Sequence, residues 1–333
     1  MGRGGAKELT AGGLILTVLV PALLLAAVVL ACSLLGQMGL VMPWEYPDLW
    51  MLRLGRVFTA AVVGAALAVA GAALQSLLRN PLADPYVLGI SSGAGVGVLV
   101  AMSLTTSAPA WMSRPAMAAA GALVTVVVVY LIAQRRGRLD PYALLLTGVI
   151  VNAFNGALML LIYLYASPYV IADYISWAMG AIRETHPRGL PAVVTGLTAA
   201  GWALLAARGQ AFNVLSLGDD VAASSGVNVH RLRLVTFGVT AALTAASVAL
   251  AGPIGFVGLI VPHVCRAILG ADHRRLLILS GFVGGMLLAA ADTFCRSTVL
   301  KFGQELPVGV ITACCGGPFF LVLLRRRFRE RMQ

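Results

Sequence analysis

Apolar runs about as long as a bilayer is thick recur from one end of the chain to the other. A helix needs roughly 20 residues to cross the hydrocarbon core. Since the runs show no alternation with period 2, they favour helices over a barrel. The sequence predicts an all-α polytopic membrane protein with about ten transmembrane helices, and residues 1–333 form a single transmembrane domain. The predicted spans lie at about 12–36, 57–78, 86–106, 116–134, 142–166, 190–207, 231–251, 254–269, 276–295 and 307–324.

The composition leaves little room for a soluble part. Hydrophobic residues make up 59% of the 333 residues and charged residues 11%, with a mean hydropathy of +0.91. The longest polar intervals, at about 37–56, 167–189 and 208–230, are too short to form a soluble domain. The function must therefore be carried out within the bilayer and at its surfaces, and membrane lipid is an expected partner.

Basic residues predict the orientation of the spans. With ten spans and a cytoplasmic N-terminus, 17 of the 24 lysine and arginine residues fall in cytoplasmic segments, as the positive-inside rule expects. The net charge of +11 therefore follows from topology. Nucleic acid is not an expected partner, because no basic stripe with interleaved aromatic residues is present. Both termini are expected in the cytoplasm.

Residues for catalysis or nucleotide binding are sparse. Neither lysine, Lys7 or Lys301, follows a G-x-x-x-x-G pattern, so the chain has no Walker A phosphate loop. His263, His273 and Asp292 lie in or beside predicted spans without a catalytic spacing. The five cysteines have no ligand-like spacing and are interpreted as packing residues. We expect no catalytic site, no metal site and no cofactor bound by this chain.

Two other functional classes remain open at this level. An ion-coupled secondary transporter acting without an ATPase needs a buried carboxylate for its proton or Na⁺, and Asp292 is the main candidate. Arg296, four residues further along a helix, favours a structural ion pair for that carboxylate instead. A membrane-embedded enzyme would have to use His263 or Asp292.

Small residues suggest two features of the architecture. The stretches "VGAALAVAG" (63–71) and "TAASVALAG" (244–252) share four of nine positions. They fall on spans of opposite direction, which is consistent with an inverted repeat, although shared small-residue packing would give the same pattern. The stretch "AGPIGFVG" (251–258) supplies glycine and proline for a tight reversal between two spans.

Four long motifs, in order, resemble one known family. They are "LRLGRVFTAAVVGAALAVAGAALQSLLRNPLADPYVLGISSGAG", "NVLSLGDDVAASSGVNVHRLR", "AGPIGFVGLIVPHVCRAILGADHRRLL" and "QELPVGVITACCGGPFF". They resemble the FecCD permease family, and the resemblance runs from about residue 50 to 325. Its members are the membrane subunits of type II ABC importers for iron siderophores, haem and vitamin B12.

The resemblance implies a function and a set of partners. The chain would be the permease of an ATP-driven importer that moves an iron chelate, haem or cobalamin inward by alternating access. It would form a homodimer in the bacterial inner membrane, bind two cytoplasmic ABC ATPase subunits and receive solute from a periplasmic or lipid-anchored binding protein. ATP and Mg would bind only to the partner ATPase.

The resemblance also implies a gate at the cytoplasmic end of the path. The loop between the second and third spans would narrow the mouth, and the loop before the fifth span would form the facing constriction. Prolines and Asn80 in the first loop also fit a simple turn. The predicted gate residues are Asn80, Pro81, Leu82, Asp140, Pro141 and Tyr142.

By the same resemblance, a short segment at about 213–227 would dock on the ATPase as a pair of coupling helices. From the residues alone, this polar segment is also compatible with a solvated loop. The family more often has two glutamates where this chain has adjacent aspartates. The predicted coupling residues are Leu217, Gly218, Asp219, Asp220, Ala223 and Gly226.

Three arginines are predicted on the outer surface. By resemblance, Arg53, Arg56 and Arg296 would form exposed salt bridges with glutamates of the binding protein. Such pairs mainly set register and encounter rate. Arginines near a bilayer surface also commonly extend into the lipid headgroups, so the pattern alone leaves both roles open.

Overall fold

The computed structural model describes residues 11–36, 39–40, 42–104, 113–135, 138–184, 187, 189–299 and 303–331. Two short antiparallel ribbons join helices, β1 (Leu35–Gly36) with β2 (Gly39–Leu40) and β3 (Gln134–Arg135) with β4 (Arg138–Leu139). Among the described residues there are thirteen α-helices: α1 (Ala11–Leu34), α2 (Pro47–Leu77), α3 (Ile90–Leu104), α4 (Arg114–Ala133), α5 (Pro141–Tyr165), α6 (Pro168–Ala178), α7 (Leu190–Ala206), α8 (Gly209–Leu215), α9 (Asp219–Ser224), α10 (Val229–Ala251), α11 (Val257–Leu269), α12 (His273–Ser297) and α13 (Val308–Arg331).

Each predicted span coincides with one helix, and α6, α8 and α9 are additional short helices. Within the described ranges, six helices are long and apolar enough to cross a membrane, and α7 with α8 makes a seventh if their 51° bend belongs to one span. Three shorter apolar helices are α3, α11 and the first part of α13. The fold is all-α and polytopic, as predicted.

Helix α2 lies at the centre of the bundle, and glycines allow its neighbours to approach. A Cβ built on Gly64 would overlap the carbonyl oxygen of Gly284 on α12, and one on Gly71 would overlap the carbonyl oxygen of Gly258 on α11. Close backbone approach through small residues is the usual way in which helices associate in lipid, where no hydrophobic effect drives them together. The run of alanines and glycines in α2 is therefore a packing surface.

The helix contacts repeat in a regular order. Helix α2 packs on α12, and in the same way α10 packs on α4. Helix α3 packs on α4, and in the same way α11 packs on α12. The contact of α3 with α5 has its counterpart in α11 with α13. This order is the one expected if the α2–α5 unit corresponds to the α10–α13 unit, and it supports the inverted repeat that the short similarity in α2 and α10 suggested.

The stretch between α10 and α11 reverses the chain, as its glycines and proline indicated, but the reversal lies inside the bundle. Residues 252–256 have no regular secondary structure. Gly252 adopts a φ of 69° beside the Trp177 carbonyl, whereas a Cβ on Gly258 would lie 2.9 Å from the carbonyl oxygen of Leu67, near the middle of α2. Non-helical backbone is tolerated at this depth only when protein or a polar cavity surrounds it.

The bundle has two ends, which we name after the arginines near the termini of α2. Arg56 lies near the start of α2, and Arg79 lies just beyond its last residue, Leu77. The two ends are about 33 Å apart along the helix axis. They are called the Arg56 end and the Arg79 end below.

Candidate transport path and its two ends

A mostly apolar cleft of about 500 Å³ opens where the broken helices meet. It lies between α5 and α13, and the loop after α2 and the extended stretch before α11 form its other walls. This arrangement, in which unwound backbone faces a cavity between helices, is typical of solute paths in transporters. The residues that line the cleft are Leu82, Asp84, Tyr86, Val87, Asn152, Gly255, Phe256, Leu259 and Phe320.

Hydrogen bonds fix a 3-10 helix at Pro85–Leu88 to α5 and to the non-helical stretch before α11. The Asn152 side chain donates from Nδ2 to the carbonyl oxygens of Tyr86 (3.3 Å) and Val87 (3.4 Å). The backbone N–H of Ile254 donates to the Tyr86 hydroxyl oxygen over 3.0 Å. Phe256 has a left-handed φ of 69°, and its ring packs where a Cβ on Gly316 would lie. Strained backbone of this kind concentrates at functional sites.

The first predicted gate loop lies beside this cleft. Leu82 lines the cleft, while the Asn80 side chain accepts a hydrogen bond from the Leu82 N–H over 3.0 Å and so closes a turn. Pro81 lines a second cavity on the opposite side of the loop. Arg79, which precedes them, has a positive φ of 46°. The loop thus contains the predicted turn and also supplies a wall residue of the cleft.

The second predicted gate segment lies further from the cleft. Asp140 caps α5 by accepting from the Ala143 N–H over 2.9 Å, and Pro141 occupies the first turn. The Tyr142 side chain is 76% exposed. It begins α5 about 15 Å along the helix from Asn152, the residue with which α5 contributes to the cleft.

The predicted coupling segment contains two short helices, α8 and α9. Gly218, with a φ of 132°, separates them, and Gly226, with a φ of 82°, ends the second. The side chains of Leu217 and Ala223 are exposed. Asp220 and Ala223 line a cavity of about 300 Å³ beside α9. These features place two short helices with exposed side chains, called the protrusion below, at the Arg79 end.

Asp219 connects this protrusion to the loop beside the cleft. Its carboxylate forms ion pairs with Arg79, in the gate loop, and with Arg233 on α10, at 2.7 Å. Both partners of Asp219 thus belong to elements that adjoin the cleft or pack on α2. The sequence placed Asp219 in the coupling segment, but it gave no indication of this contact with Arg79, 140 residues away.

A buried cluster of charges occupies the Arg56 end. The Arg56 guanidinium donates to Asp292 on α12, with Nη2 and Oδ1 3.1 Å apart. Arg296 lies one turn beyond Asp292 and pairs with its other oxygen at 3.2 Å, so the predicted pair within α12 is present. Arg56 also contacts Glu305 at 3.0 Å and Glu184 at 3.6 Å. Two arginines and three carboxylates therefore meet in one cluster, of which Arg56, Arg296 and Asp292 are buried.

The three arginines predicted on an exposed outer surface are in fact buried. The exposed fractions are 4% for Arg53, 6% for Arg56 and 2% for Arg296. Arg53 donates from Nη1 to the carbonyl oxygens of Leu34 and Gly39, at 3.3 and 3.4 Å. Their positions near helix ends suggested exposure, but carboxylates and carbonyl groups from distant segments cover them. The sequence analysis did not single out Glu184 and Glu305, because lone glutamates in loops carry no spacing signal.

The remaining titratable candidates separate into two places. His263 and His273 line one cavity of about 490 Å³ at the Arg79 end, together with Arg266, whereas Asp292 lies at the opposite end. The described residues contain no group of three histidine, cysteine, aspartate or glutamate side chains that could hold a metal ion. Cys32, Cys265 and Cys295 are buried as predicted, but Cys314 and Cys315 are exposed on α13.

The fold and the cleft define a class of protein, a polytopic membrane permease in which discontinuous helices surround a solute path. The chain belongs, more particularly, to the FecCD transport family, whose sequence model matches residues 13–326. The family resemblance inferred from the four motifs is confirmed.

Relatives and a solved structure agree with this assignment. The chain is 42% identical over 280 residues to the cobalamin import system permease protein BtuC of Halobacterium salinarum, covering 83% of this chain and 73% of that protein. It is 38% identical over 287 residues to the hemin transport system permease protein HmuU of Yersinia pestis, covering 85% of each. A structure described as an inward-facing conformation of a metal-chelate type ABC transporter superposes with a TM-score of 0.81 at 28% identity, over 93% of this chain and 98% of the other.

Proposed function

We propose that this chain is the permease subunit of an ATP-driven importer that carries an iron chelate, haem or a corrinoid into the cytoplasm. The observation that supports this most directly is the ion pair of Asp219 with Arg79, since it links an exposed pair of short helices to the loop that walls the cleft. An external motor that pulls on the short helices could thereby move the loop. Relatives named for cobalamin and hemin import support the solute class.

The partners follow from the same arrangement. Two cytoplasmic ATPase subunits would bind at the Arg79 end, where α8 and α9 protrude and basic residues accumulate. A second copy of this chain would complete the path, because α5 and α13 present exposed apolar side chains such as Phe154 and Leu321 on either side of the cleft. The Arg56 end would face away from the cytoplasm, towards an extracytoplasmic binding protein.

Reconstitution tests the proposed function. The permease, its ATPase and its binding protein are placed in proteoliposomes, and uptake of cobalamin, haem and a ferric chelate is measured one at a time. Uptake of at least one solute should require enclosed ATP, stop with vanadate and continue when an ionophore removes the proton gradient. Uptake that needs no ATPase and ends with the ionophore would instead identify an ion-coupled secondary transporter.

The ion-coupled alternative is weaker on structural grounds. Its best carboxylate, Asp292, lies between Arg56 and Arg296 at 3.1 and 3.2 Å. A carboxylate that must bind and release a coupling ion is not expected to be held by two fixed cations. The described part of the chain thus favours a structural role for Asp292.

The gate assignment has its own test. Shortening the wall residue with Leu82→Ala should increase passive solute leak through the reconstituted dimer in the absence of ATP, and Tyr142→Ala should do so if α5 of each copy faces the shared path. Leu197→Ala, on an exposed face of α7, is the matched control. Leak equal to that of the control would remove Leu82 from the gate.

Docking of the binding protein is proposed at the Arg56 end, with Arg53, Arg56 and Arg296 beneath its surface. Because these arginines are buried, a carboxylate of the binding protein could not pair with an exposed guanidinium. It would have to replace one of the groups of this chain that already contact the arginines. Arg56→Glu should weaken association, more so at low salt. Arg183→Glu, an exposed arginine at the same end, controls for net charge.

A further inference from the structure

Three segments from distant parts of the chain meet at the Arg56 end. They are residues 180–184 after α6, residues 251–254 after α10 and residues 305–309 at the start of α13, and together we call them the roof. The N–H of Ala181 donates to the Ala251 carbonyl oxygen over 2.9 Å, and the N–H of Gly309 donates to the Gly180 carbonyl oxygen over 3.1 Å.

The roof adjoins the cleft through two of its segments. Its middle segment continues directly into Gly255 and Phe256, which line the cleft. Its third segment continues into α13, where Phe320 lines the cleft about 18 Å further along the helix axis from Val308. The roof therefore lies nearer to the Arg56 end than the part of the cleft that Phe320 lines.

Side chains, as well as backbone groups, join the roof to the bundle. Glu184 belongs to the first segment and Glu305 to the third, and both reach the same guanidinium. Glu305 accepts from Arg56 Nη1 and Nη2 at 3.3 and 3.0 Å, whereas Glu184 lies 3.6 Å from Nη1. Arg56 itself is fixed by Asp292 on α12.

The carboxylates that contact Arg56 are buried to different extents, so the contacts of the two glutamates can break while the contact of Asp292 remains. The Asp292 side chain is 1% exposed and that of Arg56 6%, but Glu184 and Glu305 are 48% and 37% exposed. Half-exposed carboxylates can return to water at little cost, because exposed ion pairs contribute only weakly to stability. The buried pair, in contrast, is costly to break.

We propose that Glu184 and Glu305 form a latch that holds the roof closed over the cleft, with Arg56 as its fixed receptor. The inference rests on the proposed importer function, in which solute enters at the Arg56 end. Releasing the two carboxylates from Arg56 removes one ion pair from each of two roof segments, while Arg56 stays paired with Asp292. The backbone hydrogen bonds between the segments, and the bond from the Ile254 N–H to the Tyr86 hydroxyl, remain.

A reporter cysteine in the cleft tests the latch without any transport. Val87→Cys is introduced into the full chain after the five native cysteines are replaced, and sealed vesicles with the Arg56 end outward are treated with a membrane-impermeant maleimide. The double variant Glu184→Gln with Glu305→Gln should raise the labelling rate about fivefold, which corresponds to roughly 1 kcal/mol. Glu305→Gln alone should have a larger effect than Glu184→Gln, because Glu305 makes the shorter contacts.

The controls separate a latch from general loosening. Glu45→Gln removes the same charge from an exposed turn at this end, where no ion pair of Glu45 is recorded among the described residues, and should leave labelling unchanged. Equal labelling of the double variant and this control, with melting temperatures retained, would overturn the proposal. If the double variant loses stability, the labelling rates of the two single variants are compared instead. Equal rates for Glu184→Gln and Glu305→Gln would count against the latch. Since labelling needs neither ATPase nor solute, its result is independent of the proposed importer function.

Discussion

Arg56 of α2 and Asp292 of α12 are 236 residues apart in the chain, and their charged groups lie 3.1 Å apart in a buried position. The pair joins the central helix to one of its main neighbours beside the close contact of Gly64 with Gly284. Arg296 shares the same carboxylate. The cluster therefore fixes the register of α2 against α12 at the end where the roof lies.

Removal of that carboxylate should be strongly destabilising. Asp292→Asn leaves Arg56 and Arg296 buried with less charge compensation, and we expect a loss of about 3–5 kcal/mol in the free energy of unfolding. Asp173→Asn, which breaks the more exposed pair with Arg114, should cost about 1 kcal/mol or less. Denaturant unfolding in detergent measures both, and similar losses in the two variants would contradict a structural role for the buried cluster.

A methyl group at the centre of the bundle should be poorly tolerated. Gly71→Ala places a Cβ against the backbone carbonyl of Gly258, so α2 and α11 must separate. Overpacking of this kind costs about 3 kcal/mol, because backbone cannot move aside as a side chain can. At Gly196 of α7 the same change meets open space and should be neutral or stabilising. Melting temperatures of the two variants check the expectation, which fails if they shift alike.

Asp219 and Asp220 offer a matched pair for the coupling role. Asp219→Asn should reduce ATP-driven uptake about tenfold while leaving ATPase binding and stability nearly unchanged, since its ion pairs with Arg79 and Arg233 are partly exposed. Asp220→Asn removes the neighbouring charge, for which no ion pair is recorded among the described residues, and should retain uptake. The ratio of transported solute to hydrolysed ATP distinguishes them, and an unchanged ratio in the Asp219 variant would exclude the link.

Stability should depend on pH through Asp84, in the loop between α2 and α3. Burial raises the pKa of Asp84 from 3.8 to about 6, against the opposing effect of the Tyr86 N–H that it accepts. The folded chain therefore binds this proton more tightly than the unfolded chain, and stability falls as pH rises from about 4 to 6. Asp84→Asn keeps an acceptor for the Tyr86 N–H and removes the titration. Its melting temperature should exceed that of the native chain by an amount that grows over this range, up to a few degrees, and a constant difference would contradict the assignment.

Much of the architecture could be predicted from local pattern. Apolar runs predicted every long helix, because a bilayer requires continuous apolar residues and internally paired backbone. The start of α5 lies within a residue of the predicted span at 142–166, where Asp140 caps the helix and Pro141 occupies its first turn. The motifs from 52 to 320 also indicated the family.

The places where distant segments meet could not be read in this way. Whether Arg56 is exposed depends on Asp292 and Glu305, and neither is near it in sequence. The reversal predicted at 251–258 could not be placed inside or outside the bundle, since glycine and proline break helices equally well in both. Only the tertiary contact with Tyr86 and α2 decides which occurs.

The sequence by itself determined that this chain crosses the membrane many times, where its helices lie and to which family it belongs, because these properties depend on local composition and motif order. The tertiary structure alone decided that three arginines are buried, that Asp219 pairs with Arg79 beside the cleft and that Glu184 and Glu305 pair with Arg56. The physical reason is that charge pairing and burial are properties of groups brought together by folding, and the chain order of these groups carries no record of it.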